Sequence, residues 1–199
     1  GEVNNLNCHP FQWGRWTFAH NGNLKKFEEK KHELLKHIPE HFQSYILGDT
    51  DSEIIFFFLL QKLDLFSRQD IKHEDFRKKF QQAIHDITQI FGEITLDDKE
   101  EKHGNFLSFI LTNGEQFIVF NGGKVIRYST YKARCPESST CSFYAKTCES
   151  KHEKNGDTIQ HLIVSSEVIE NENVWQKLDS GQCLFLDKNM RFFVTDFPL

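Results

Sequence analysis

The sequence predicts an α+β layered fold. Apolar residues at helical spacing gather before residue 92, whereas short apolar runs bounded by turn residues gather after residue 105. The chain has 199 residues, enough for one domain with a sizeable core, and 20 of them are phenylalanine. Aromatic packing is therefore expected to dominate that core.

Residues 1–12 are polar and then extended toward Phe11, and residues 13–19 read as a strand on the core side. Residues 24–35, rich in Lys and Glu, read as a largely solvated helix. Pro39 interrupts it, and residues 41–47 fit a short second turn of helix. Residues 48–53 read as a loop ending in a helix cap, Asp51 or Ser52. The following run from Ile54 to Leu60 is apolar all round, so the helix over residues 52–65 is expected to lie between layers. A helix over residues 73–91 follows, stopped by Gly92.

From residue 105 the period changes. Residues 106–111 and 116–120 flank Asn113-Gly114, a hairpin signal. Further strands are expected over residues 124–128, 161–165, 182–186 and 190–194. Residues 96–104 read as a charged loop and residues 147–158 as a surface loop, with no internal repeat.

The formal net charge of −5 argues against a nucleic-acid partner. No apolar run approaches the ~20 residues of a membrane span, and no secretory signal stands at the start of the sequence. Five cysteines without regular spacing suit a reducing cytoplasm. Cys135, Cys141 and Cys148, with His152 nearby, lack the paired short intervals of zinc sites. They read as ordinary thiols in an irregular insertion, with zinc the lesser alternative. His32, His37, His41, His73 and His85 read as surface or cap residues, and Trp175 as a core residue.

Two stretches carry the candidate chemistry. Asn21-Gly22 follows the apolar run ending at Ala19, and the pair by itself reads as a hairpin turn. The functional alternative is an oxyanion hole, with the Asn21 amide and a backbone N–H beside Gly22 aimed at one developing negative charge. Asp51 is either the helix cap or a carboxylate placed to bind a substrate ammonium.

Taken in order, Asn7-Cys8-His9-Pro10-Phe11, Gly14-Arg15-Trp16, His20-Asn21-Gly22 and Thr50-Asp51-Ser52-Glu53 resemble the class II glutamine amidotransferase domain of the N-terminal-nucleophile hydrolases. The compact His9-Pro10-Phe11 form, followed by Gly14-Arg15, is most similar to the branch with the ergothioneine-biosynthesis and glutathione-degradation amidohydrolases. The resemblance is strongest over residues 1–60 and continues to the C-terminus. It implies stacked antiparallel β-sheets flanked by helices, an αββα sandwich. It also implies that Asn21 and Gly22 stabilise the tetrahedral oxyanion and that Asp51 holds the α-amino group of glutamine or a γ-glutamyl compound. His9 and Pro10 would shape the entering strand. Ser165-Ser166-Glu167 has a similar structural counterpart in the family.

The family nucleophile is a cysteine at the mature N-terminus, with its own α-amine as base. This sequence begins with Gly1, and Cys8, beside His9-Pro10, is no substitute. Gly1-Glu2-Val3 resembles the stretch after a substrate-binding arginine loop. The expectation is a single domain over residues 1–199, partial at its N-terminus and inactive by itself, which self-associates or pairs with its missing strands. Hydrolysis is expected over transfer, for want of a synthase domain. The alternative is a non-catalytic γ-glutamyl-binding or scaffold domain. Neither a metal nor a cofactor is implied.

Overall fold

A computed structural model describes residues 4–96, 104–151 and 155–198. Its first strands arise from one glycine. Gly14 takes φ +56°, which glycine adopts at little cost, and the chain reverses there. The strand expected over residues 13–19 is thus two strands, β1 (Phe11–Trp13) and β2 (Trp16–Asn23), with Trp13 opposite Trp16. Strand β2 also continues through Asn21 and Gly22, so that pair is no turn.

The helices are α1 (Phe27–Leu35), α2 (Glu40–Gln43), α3 (Asp51–Lys62) and α4 (His73–Phe91). Helix α3 is buried from Ser52 to Leu60, as its unbroken apolar run requires. Its cap is Thr50, whose hydroxyl accepts from Glu53 N–H, and not Asp51 or Ser52. Helix α4 turns Phe76, Phe80, Ala83, Ile84, Ile87 and Phe91 inward, and Gly92 ends it at φ +91°.

The later strands are β3 (Phe106–Thr112), β4 (Phe117–Phe120), β5 (Ile126–Ser129), β6 (Ile163–Ser165), β7 (Gln176–Leu178), β8 (Gln182–Leu186) and β9 (Phe192–Asp196). They build two antiparallel sheets, one in the order β1-β2-β3-β4-β8-β9 and a smaller one in the order β6-β5-β7. The strand expected over residues 190–194 begins only at Phe192, because Met190 takes φ +60° in the preceding turn. Strand β7 has little apolar signal: of its three residues only Leu178 is buried.

Helices α3 and α4 pack on one face of the large sheet over an aromatic core, and α1 packs against these two helices. Phe18 of β2 stacks on Phe56 of α3 at 5.3 Å, and Phe80 of α4 meets Phe109 and Phe120 edge-on. A second core, including Val119, Ile126, Leu178 and Leu184, joins the two sheets. The layers run helix, large sheet, small sheet. Strand β2 borders both interfaces, and its alternation decides which side chains each one receives. Trp175 is half-buried rather than in the core, its indole N–H donating to Ile169 O.

Among the described residues no helix is long and apolar enough to cross a membrane.

Candidate active site

Along β2, Phe18 and His20 point toward the helices, and Ala19 and Asn21 toward the small sheet. Asn21 lines a cleft of about 320 Å³ between the sheets, shared with Ser108 and Ile110 of β3, Lys124 and Val164 with Ser165 of β6. Among the described residues the Asn21 side-chain amide has no hydrogen-bond partner, so its donor is available to whatever enters the cleft.

Gly22 sits where no side chain fits. A Cβ there would overlap the Phe106 carbonyl and crowd His20 Nε2 at 2.7 Å. Its peptide also has an open side. Leu107 N–H donates to Gly122 O, so the polar backbone groups of Leu107 face β4. Gly22, opposite Leu107, therefore turns its N–H away from β3. On that side β1 pairs no farther along β2 than Phe18.

Helix α3 brings its first turn to the end of β2. Asp51 Oδ2 accepts from Leu24 N–H at 3.0 Å, and Asp51 Oδ1 lies 3.3 Å from the Ser52 hydroxyl. A carboxylate has about four lone-pair positions, so Asp51 retains acceptor capacity. Ser52 Oγ is 2.9 Å from His20 Nδ1, and His20 Nε2 is 3.2 Å from Phe106 O. Burial holds the His20 pKa below its ordinary 6.5, against the upward pull of the Asp51 charge. His9 is near enough to feel Asp51 as well, though its partial burial lowers its pKa overall.

The loop before α3 is clasped by the first motif. Asn7 Nδ2 donates to Asp49 Oδ1 at 2.6 Å, and Asp49 N–H returns a bond to Asn7 Oδ1 at 3.1 Å. Glu53, almost fully buried, accepts from Leu47 N–H and Gly48 N–H at 3.1 and 2.7 Å. A Cβ on Gly48 would overlap the Asn7 amide oxygen. Each residue of Gly48-Asp49-Thr50-Asp51-Ser52-Glu53 thus has a defined structural partner, and Asp51 and Ser52 are the members that also face β2 and its end.

The structure gathers Asn21, Gly22 and Asp51 at one end of β2, Asn21 on the cleft face and Asp51 from the helix side. His20 is the site residue that sequence reasoning left without a role, and Ser52 was read only as a possible helix cap. Their signal was adjacency, His20 beside Asn21 and Ser52 beside Asp51. Thr50 also had a signal, since Thr-x-x-Glu is a helix-start pattern.

Other features lie apart. Cys8 Sγ donates to Asn4 O at the surface, and Cys183 is buried in the helix-side core. No cysteine lines the cleft beside Asn21 among the described residues. Cys135 and Cys148 are buried and Cys141 is exposed in the 130–150 loop; all are free thiols. No group of three or more His, Cys, Asp or Glu among the described residues is arranged to hold a metal ion. His152 and Gly1-Glu2-Val3 lie outside the described residues.

Comparison with known proteins agrees over nearly the whole chain. The family model for class-II glutamine amidotransferases matches residues 1–194. A putative glutamine amidotransferase of Haemophilus influenzae is 31% identical over 190 residues, covering 93% of this chain and 55% of that protein. A probable glutamine amidotransferase of Saccharomyces cerevisiae is 27% identical over 201 residues, covering 94% of this chain and 54% of that protein. The chain therefore spans about half the length of these relatives. A solved class-II glutamine aminotransferase domain protein from Silicibacter pomeroyi has the same fold, with a TM-score of 0.61 at 23% identity over 98% of this chain and 72% of that one.

Proposed function

Because the chain belongs to the class-II glutamine amidotransferases, we propose that it forms the oxyanion and ammonium subsites of an amidohydrolase for glutamine or a γ-glutamyl compound. The observation that carries this reading is the unengaged Asn21 amide in the inter-sheet cleft, beside the outward N–H of Gly22. A thiolate attacking the side-chain carbonyl forms a tetrahedral centre and puts negative charge on its oxygen. The Asn21 amide and the Gly22 N–H then donate to that oxygen from a rigid strand, with no reorganisation during the step. Asp51 accepts from the substrate's α-ammonium. Collapse of the tetrahedral centre expels ammonia or an amine, and water hydrolyses the resulting thioester.

The described lining of the cleft holds no cysteine, so on this reading the thiol is supplied by a cysteine-bearing segment outside that lining. Residues 1–199, read as one partial domain, are on this view inactive by themselves. The outer edge of β6 lies beside the cleft and pairs with no described strand, which suits such a segment or a second copy of the chain. The ligand is a small molecule, with neither nucleic acid nor membrane as partner. Five free thiols fit a cytoplasmic setting.

Hydrolysis of L-glutamine by the natural full-length protein, with and without Asn21→Ala, tests the reading. Loss of one oxyanion donor costs about 10²–10³ in kcat. An unchanged kcat would remove Asn21 from the reaction. The second reading, a domain that binds γ-glutamyl ligands without turnover, rests on the same absence of a cysteine from the cleft lining. It requires L-glutamine to bind in calorimetry while no glutamate forms.

A further inference from the structure

We propose that His20 is a positioning residue for the substrate ammonium: its neutral ring draws the Ser52 hydroxyl proton away from Asp51 and leaves Asp51 Oδ1 open to the incoming cation. This rests on the reading of Asp51 as the ammonium anchor.

The argument is proton counting along one chain of contacts. Phe106 O can only accept, so the His20 nitrogen facing it at 3.2 Å, Nε2, carries a hydrogen. In a neutral ring Nδ1 is then bare and must accept. Its partner at 2.9 Å is the Ser52 hydroxyl, which has one proton to give. With that proton turned to His20, Ser52 Oγ meets Asp51 Oδ1 at 3.3 Å with lone pairs on both sides. Asp51 Oδ1 then lacks the Ser52 donor, and an ammonium brought to it supplies one. Asp51 Oδ2 keeps its bond from Leu24 N–H throughout, so the carboxylate stays in place.

Adding one proton from solvent to Nδ1 reverses the chain. Nδ1–H then donates to Ser52 Oγ, and the hydroxyl proton turns, without leaving its oxygen, to Asp51 Oδ1. The carboxylate becomes satisfied internally and competes less well for an ammonium. The groups acting on the His20 ring are the Asp51 carboxylate from α3, His9 from the segment before β1, and the Phe106 carbonyl of β3. Asp51 and Phe106 favour the protonated ring, His9 opposes it, and burial outweighs them, which keeps the ring neutral at pH 7. Gly22 completes the arrangement, since a Cβ there would press on Nε2.

The test uses the natural full-length protein with two probes, L-glutamine and glutaramate, the same molecule without its α-amine. Long-range proton–nitrogen correlation spectra of His20 are expected to give a neutral Nε2–H tautomer at pH 7, titrating below 6.5. Saturating L-glutamine is expected to lower that titration further, and glutaramate to leave it unmoved. The L-glutamine dissociation constant is expected to rise about tenfold as pH falls through the His20 titration. Ser52→Ala is expected to flatten that dependence, and Ser52→Thr, which keeps the hydroxyl, to restore it.

A protonated or Nδ1–H ring at pH 7 would overturn the proposal, as would an unchanged pH dependence in Ser52→Ala with L-glutamine still bound. Failure of the wild-type protein to bind L-glutamine at any pH removes the reading of Asp51, and this proposal with it.

Discussion

At the scale of single residues, the same side chains serve the fold and the site, and substitutions separate the two uses. Asp51→Asn keeps an acceptor for Leu24 N–H but removes the negative charge. A hydrogen bond to a charged group contributes about 1.5–3 kcal/mol, so KM for L-glutamine is expected to rise about 10- to 100-fold with little change in melting temperature. A large fall in melting temperature with KM unchanged would assign Asp51 to the strand junction alone. Gly22→Ala is expected to behave in the opposite way. Its Cβ meets the Phe106 carbonyl, which belongs to the backbone of β3 and cannot swing aside. Such overpacking costs about 1–3 kcal/mol or more, read as lost stability in denaturant unfolding. Asn21-Gly22 resembles a hairpin signal because both residues are frequent where φ is positive. Here glycine is required by close approach to Phe106, which no local pattern reveals.

At the scale of elements, the loop before α3 decides whether Asp51 is presented at all. Thr50 caps the helix, Glu53 holds Leu47 and Gly48, and Asn7 clasps Asp49. Thr50→Ala is expected to cost about 1 kcal/mol, the usual loss for a side-chain cap, in a denaturation midpoint. Gly48→Ala is expected to open the clasp and to raise KM for L-glutamine, since its Cβ would occupy the position of the Asn7 amide oxygen. A variant with unaltered KM would show that Asp51 is held without the clasp. Helices α3 and α4 and the β3–β4 hairpin were legible in the sequence because burial on one or all sides imprints a period on the residues. Strand β7 was not, since Gln176 and Lys177 stay outside the core and only Leu178 enters it. The division at Gly14 was also hidden, because Trp13 and Trp16 are apolar on both sides of the turn.

At the scale of the whole molecule, the partial or full burial of four histidines predicts a fold that loses stability in acid. His9, His20, His37 and His73 each have a pKa lowered from 6.5, with burial the largest cause in every case. A histidine whose folded pKa is depressed binds its proton more readily when unfolded. Its stabilisation is fully present above the unfolded value near 6.5 and is lost as pH falls toward the folded value. The melting temperature is therefore expected to drop between pH 7 and 5, by about 2–4 °C for each kcal/mol lost in a chain of this size. A flat profile over that range would mean that the four rings are solvated. The two sheets pack through β4, β5, β7 and β8, with β2 lining the cleft beside that core. The order of motifs in the sequence singled out Asn21, Gly22 and Asp51, and the expectation of missing strands anticipated an open sheet edge without saying which strand would carry it. On the proposed function, that edge and the cleft beside it are where an added cysteine-bearing segment is expected to dock. The most direct measurement is glutamate release from L-glutamine by residues 1–199 alone and by the natural full-length protein, each with and without Asn21→Ala. The expected result is turnover by the full-length protein only, reduced about 10²-fold or more by the substitution. Turnover by residues 1–199 alone, or full-length turnover indifferent to Asn21, would contradict the assignment of this cleft as a subsite completed from outside.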